Sequence, residues 1–242
     1  MAKLKTIIPL LVSVLCSNHL AAATESKDRF PDVVQPSVIT IQRLDSLGNP
    51  YHWGTGFLWF NNEDKCNVLI TNRHVLEPLD ENGNKIQLKE VYVKTNITEE
   101  LKEPLKLQKN AWGVFRIPLR DSNVIYWTGH PNPNIDIAAM YFPPLDSLHR
   151  KLLKISNALF IPKSLRLAFD SLELADQVLF FGFPLGLGTE SNPRTFIRYG
   201  MIANIDFENK SFYLDAQVFA GSSGSPVVHT GLSLGDIGNS QR

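Results

Sequence analysis

The chain has 242 residues, with 24 Lys and Arg balanced by 24 Asp and Glu, and 43% of it is apolar. That length suits one large or two small domains, and the apolar share is ample for a core. Zero net charge, with no basic stripe and no Lys/Arg run beyond isolated pairs, argues against a nucleic-acid binder, and no metal or cofactor is expected.

The first residues read as a secretory signal over 1–23. Lys3 and Lys5 supply the positive end, Thr6 to Leu15 the apolar stretch, and Ala21-Ala22-Ala23 the small-residue cleavage site. An apolar stretch so short is too small to span a bilayer, so no stable membrane insertion is expected after cleavage and the product is secreted or periplasmic. Cys16 lies in that segment, and the bulky Leu15 before it suits lipid attachment poorly. Its removal leaves Cys66 as the single thiol, so no internal disulfide forms and stability rests on packed sheets. Asn96-Ile97-Thr98 and Asn209-Lys210-Ser211 match glycan acceptor sequons, a signal frequent by chance.

Strand signals dominate the rest of the chain. β-Branched and alternating runs predict strands over 38–42, 54–60, 68–71, 90–95, 114–118, 124–127 and 136–141, with a turn at Ser46 to Pro50. Pro143-Pro144 breaks the pattern, and Leu145, Leu148, Leu152 and Ile155 recur at helical spacing, so a linking helix is expected within 143–156. Further strands are expected over 165–169, 177–181, 195–204, 211–216 and 225–229. Many short strands with turn punctuation mean a sandwich or barrel.

Three segments carry chemistry. Leu69-Ile70-Thr71-Asn72-Arg73-His74-Val75 is an apolar run ending on a histidine, and Asn134-Ile135-Asp136-Ile137-Ala138 sets one aspartate among apolar residues. Gly221-Ser222-Ser223-Gly224-Ser225-Pro226 flanks a serine with glycines at −2 and +1, which lets a tight turn expose the hydroxyl. The N–H groups of Gly221 and Ser223 can then converge on a developing oxyanion. The order His, Asp, Ser is one of several in which this triad occurs.

With Gly54-Thr55-Gly56-Phe57, Gly182-Phe183-Pro184-Leu185-Gly186 and Asp215-Ala216 in the same order, the chain resembles the trypsin-like serine peptidases of chymotrypsin fold. The disulfide-free bacterial HtrA/Deg branch is the nearest in pattern. The resemblance covers roughly residues 33 to 230. It implies an all-β fold of two antiparallel six-stranded β-barrels, near 30–142 and 157–242, with a peptide or protein substrate lying extended in the cleft between them. It also implies a serine endopeptidase with Ser223 as nucleophile, His74 as general base and Asp136 as its orienting acid. Rivals are weaker: His52, His130, His149 and His229 lack the Thr-Asn-x-His-Val setting, and His19 leaves with the signal. Asp121 sits between polar neighbours, while Ser222 and Ser225 are off the Gly-x-Ser-Gly-x-Pro register. An α/β-hydrolase esterase is discouraged because its motif needs Gly at +2, where Ser225 stands, and its histidine last.

The chain also departs from that family. Zymogen-activated relatives carry Asp just before the nucleophile, paired with a newly cut N-terminus; here Ser222 fills the position and no Ile-Val-Gly-Gly start exists. Ala220 replaces a Pro usual in the Deg branch. Gln217, at the candidate base of the specificity pocket, favours a small or medium uncharged P1 side chain over a basic one. The short run after Ser223 is expected to leave the second barrel incomplete, which motivates a second reading: a pseudo-protease that binds extended peptides and turns over little. No PDZ-like module is expected after the second barrel, so regulated Deg-type assembly is not implied.

Overall fold

The computed structural model describes residues 34–61, 66–96, 112–122, 124–142, 161–162, 167–189 and 194–230. The expected signal segment, the linking helix and everything past Thr230 lie outside these residues, and so does the side chain of Cys66.

The described chain is almost entirely β. Its strands are β1 (Val38–Leu44), β2 (Pro50–Asn61), β3 (Cys66–Thr71), β4 (Glu90–Asn96), β5 (Trp112–Pro118), β6 (Arg120–Asp121) and β7 (Val124–Ile125). There follow β8 (Trp127–Gly129), β9 (Ala138–Tyr141), β10 (Ile161–Pro162), β11 (Gln177–Gly182), β12 (Phe196–Asp206), β13 (Ser211–Asp215) and β14 (Val227–His229). A single helical turn, α1 (Arg73–Leu76), leaves the end of β3.

An eight-stranded sheet runs β5-β4-β1-β2-β3-β9-β8, with β10 added beside β2 in parallel. A four-stranded antiparallel sheet runs β13-β12-β11-β14, and β6 and β7 form a separate ribbon. The all-β, two-part division matches the expectation, but the strands are shared out as eight and four among the described residues instead of six and six. The expected strand at 165–169 is replaced, where described, by a 3-10 turn over Phe169–Ser171. Ser171 donates its N–H and its hydroxyl to the Ala168 carbonyl, and that local competition ends any extended run.

Each sheet has its own core. In the larger one, Ile41, Leu58, Leu69, Val91, Val93 and Ile117 are fully buried. In the smaller one, Leu167, Leu172, Val178, Phe180, Ile202, Phe212 and Val227 close together. Burial of each large aliphatic or aromatic side chain contributes about 1.5–3 kcal/mol before chain entropy is counted. A third cluster forms the seam between the sheets: Val34, Val38 and Phe57 from one side meet Phe181, Phe183 and Val228 from the other. Phe181 and Phe183 are fully buried, so the two sheets share an apolar joint at the end of β11. That joint fixes where the loop after β13 sits against β2.

Candidate active site

The histidine segment is built by one strand and the turn that leaves it. Thr71 ends β3 and donates its hydroxyl to the Thr55 carbonyl on β2 at 2.7 Å. Asn72, extended, then starts α1, and its side-chain amide donates to the Asp136 carbonyl at 2.5 Å. The Arg73 N–H reaches the same carbonyl, and the Arg73 guanidinium donates to the His130 carbonyl at 2.6 Å. The loop ahead of β9 is thereby held against α1 from both of its ends. Val75 is fully buried and its carbonyl accepts the Trp53 indole N–H at 3.0 Å. Every residue of the Thr-Asn-Arg-His-Val run therefore has a structural reason for its place.

His74 and Asp136 meet directly. The His74 backbone N–H donates to Asp136 Oδ1 at 2.9 Å, and ring Nδ1 lies 2.5 Å from Oδ2. An ionised carboxylate can only accept, so Nδ1 carries the proton and Nε2 is left with its lone pair. Burial pushes the Asp136 carboxyl upward. The hydrogen bonds from the His74 ring and backbone, with the ring's charge, outweigh that and hold it below the ordinary carboxylate range. Among the described residues, Nε2 of His74 makes no hydrogen bond. Asp121, the rival acid, is exposed on the β6–β7 ribbon, and its carboxylate accepts the Ser122 hydroxyl.

The serine segment is also held by β2. The Ser223 carbonyl accepts the Thr55 N–H at 2.8 Å. A Cβ on neighbouring Gly54 would stand 2.8 Å from the Val75 side chain and 3.5 Å from the Ser223 carbonyl. Gly54-Thr55 is thus a strip of backbone beside both the residue after His74 and Ser223. No hydrogen bond joins His74 to Ser223 in the described structure. Such contacts are often long before substrate enters and tighten in the Michaelis complex.

The loop around Ser223 is fixed carbonyl by carbonyl. Leu185 donates its N–H to the Ala220 carbonyl at 2.7 Å, and it does so from a left-handed backbone (φ 54°) that carries strain for a branched side chain. The Gly221 carbonyl accepts the Thr55 hydroxyl at 2.7 Å and His52 Nε2 at 3.1 Å. Gly221 (φ 88°) and Gly224 (φ 89°) both adopt the left-handed region. The N–H groups of Gly221 and Ser223 make no hydrogen bond among the described residues. Ser222 is 6% exposed and points its hydroxyl at the Arg198 guanidinium, 2.5 Å away. Gln217 is exposed, and its carbonyl accepts the other arm of Arg198 at 3.1 Å.

Sequence reasoning missed His52, Thr55 and Arg198. His52 lay outside the histidine motif, yet its ring bridges the Thr40 hydroxyl on Nδ1 at 2.7 Å and the Gly221 carbonyl on Nε2. Its Nε2 faces a carbonyl and must therefore donate, and in the neutral ring Nδ1 then accepts from the Thr40 hydroxyl. Burial lowers its proton affinity more than the neighbouring backbone carbonyls raise it, so the ring stays neutral near pH 7. The one usable sequence signal was the Gly54-Thr55-Gly56 run, which marks a close backbone approach without saying to what.

Residues 54–234 match the family model of the trypsin-like peptidase domain, more than half of the chain. The chain belongs to that family. No curated protein matches it. The solved structures it is similar to are distant in sequence. An HtrA-type protease with tripeptide is 15% identical, with a TM-score of 0.45, covering 84% of this chain and 50% of that one. A thermostable serine protease, AL20, from an extremophilic microorganism is 12% identical (TM-score 0.44; 81% of this chain, 79% of that one). The structure named GrC is 13% identical (TM-score 0.45; 82% and 81%). The chain therefore spans half the length of the HtrA-type relative.

Among the described residues, no helix is long and apolar enough to cross a membrane, and no group of three or more His, Cys, Asp and Glu side chains is placed to hold a metal ion.

Proposed function

We propose that this protein is an exported endopeptidase that cleaves peptide bonds through an acyl-enzyme on Ser223, with His74 and Asp136 completing the triad. The observation that carries the reading is the 2.5 Å contact of His74 Nδ1 with Asp136, combined with a Ser223 loop in which the Gly221 and Ser223 N–H groups have no partner among the described residues.

In this mechanism Nε2 of His74 takes the proton as Ser223 Oγ attacks the scissile carbonyl. Asp136 keeps the tautomer and stabilises the imidazolium. The tetrahedral oxyanion lies against the Gly221 and Ser223 N–H groups, where one lost donor costs roughly 3–4 kcal/mol of transition-state stabilisation. Collapse expels the amine, which receives the proton back from His74, and water then releases the acyl group by the same steps in reverse order. Gln217 brings no charge of its own to the P1 side chain, in line with a small or medium uncharged residue there. Lys3, Lys5, the apolar stretch and Ala21-Ala22-Ala23 support export, and a mature N-terminus near residue 24 in the exported product is the test.

The direct check is labelling by an active-site-directed fluorophosphonate. The folded protein is expected to react and the Ser223→Ala variant to be inert. A second reading, a peptide-binding pseudo-protease, is favoured by the absence of a His74–Ser223 hydrogen bond in the described structure. Saturable peptide binding with no labelling and no cleavage selects it.

A further inference from the structure

The Ser223 loop is gripped by a cation that the catalytic reading does not use. Arg198 sits on β12 opposite Phe180 of β11, with its guanidinium carbon 4.5 Å from the centre of the Phe180 ring and 5.6 Å from that of Phe219. One arm donates to the Gln217 carbonyl at 3.1 Å and the other to the Ser222 hydroxyl at 2.5 Å. No carboxylate pairs with it among the described residues, and its Nε is buried without a partner. Ser222 is buried, at 6% exposure, and its hydroxyl accepts the Arg198 guanidinium, which orients the side chain.

We propose that Arg198 is the positioning residue that sets the Ser223 loop in its reactive shape, so that the chain needs no activating cut to form its anion-binding N–H pair. This rests on the catalytic reading of Ser223. The guanidinium binds the loop at both of its ends, residue 217 and residue 222, and Phe219, Ala220 and Gly221 arch between. The arch is closed by the Ser222 N–H on the Phe219 carbonyl, and a further turn by the Ser225 N–H on the Ser222 carbonyl. Holding residue 222 fixes the peptide plane that carries the Ser223 N–H, and holding residue 217 fixes the approach to Gly221. A planar fork with two outward N–H directions reaches both acceptors at once, which an ammonium cannot do. The two aromatic rings offset part of the cost of keeping that cation out of water. Where Asp and a newly cut N-terminus would make an ion pair, this chain has a neutral Ser222 and draws its cation from β12.

The test compares the full chain with Arg198→Lys, Arg198→Met and Arg198→Ala, each checked for a wild-type melting transition. Peptide hydrolysis is measured across substrates of varied P1 residue, with the affinity for a peptide boronate that mimics the tetrahedral intermediate. The expected result is a kcat lower by roughly 10²-fold for every P1 residue, with KM within about threefold and boronate affinity reduced by a similar factor. Added ethylguanidinium is expected to restore part of the activity of Arg198→Ala, and none to Arg198→Lys. If the Met variant fails to fold, the Lys variant decides. Wild-type kcat in the Lys variant overturns the proposal, and so does a loss confined to substrates with an acidic P1 residue, which marks a charge-selecting role. If the unmodified chain neither labels with fluorophosphonate nor cleaves, the catalytic reading of Ser223 fails first and this inference falls with it.

Discussion

The two halves of the site are built in different ways. On the larger sheet, His74 and Asp136 are fixed by contacts between two short segments, each beside a strand end: α1 after β3 and the loop before β9. Four of those contacts fall on Asp136 alone, from Asn72, Arg73 and the backbone and ring of His74. On the smaller sheet, the Ser223 loop has little internal structure. Leu185, His52, Thr55 and Arg198 hold it, and they come from a different loop and from two strands. The first half is a local motif read off the chain; the second is a loop shaped by its surroundings. The His74–Asp136 pair should therefore tolerate changes elsewhere, whereas the Ser223 loop should be sensitive to residues distant in the chain.

The largest effect should come from breaking the local half. Asp136→Asn keeps the shape but favours the wrong tautomer of His74, and kcat is expected to fall by roughly 10⁴, measured by steady-state hydrolysis. A variant within tenfold of wild type would show that His74 is oriented by something other than Asp136.

Next comes the loop itself. A Cβ at Gly224 would collide with the Thr55 carbonyl and the Thr71 hydroxyl, at a φ of 89° that side chains rarely adopt. Gly224→Ala is expected to lose at least about 2 kcal/mol of stability in urea unfolding and nearly all fluorophosphonate labelling. Unchanged stability would mean that the loop can leave β2 freely.

A gentler perturbation bears on the same contrast. Thr55→Val removes the hydroxyl that holds the Gly221 carbonyl, and His52→Leu removes the second donor to the same oxygen. Each is expected to lower kcat by about tenfold, in line with a lost hydrogen bond of about 1–1.5 kcal/mol. Because both act on one carbonyl, the double variant should depart from the product of the two losses. Strict multiplicativity would separate their roles.

The smallest effect is on pH dependence. Since Asp136 is held below the ordinary carboxylate value, its pairing stabilises the fold above about pH 4 and loses that contribution as pH falls through the lower folded value. Wild type and Asp136→Asn should therefore differ in urea midpoint at pH 6 and differ less at pH 3. The pair is partly open to solvent, with side chains 48% and 37% exposed, so the difference should be modest. Convergence at both pH values would argue against a folded-state shift.

Much of this was legible in the chain before folding. The strand pattern predicted an all-β protein and set most strands within a few residues. The Thr-Asn-Arg-His-Val run, the buried-flank aspartate and the Gly-x-Ser-Gly turn named the candidate triad, and the first two are in contact. Those features are local, because a cap, a turn or an alternating strand writes its demands into adjacent residues. Sheet membership was less legible: the parallel β10 beside β2 and the eight-to-four division depend on which edges meet in space. Least legible were His52, Thr55 and Arg198, since a β-strand residue looks the same in sequence whether its side chain meets a core neighbour or a loop from the far end of the chain. His52 and Gly221 lie 169 residues apart, and Thr55 and Gly221 lie 166 apart. The identity of the proposed reacting groups was set by short-range chemistry, while the conformation of the Ser223 loop was decided only when the two sheets packed, because hydrogen-bond partners so distant are chosen by tertiary geometry.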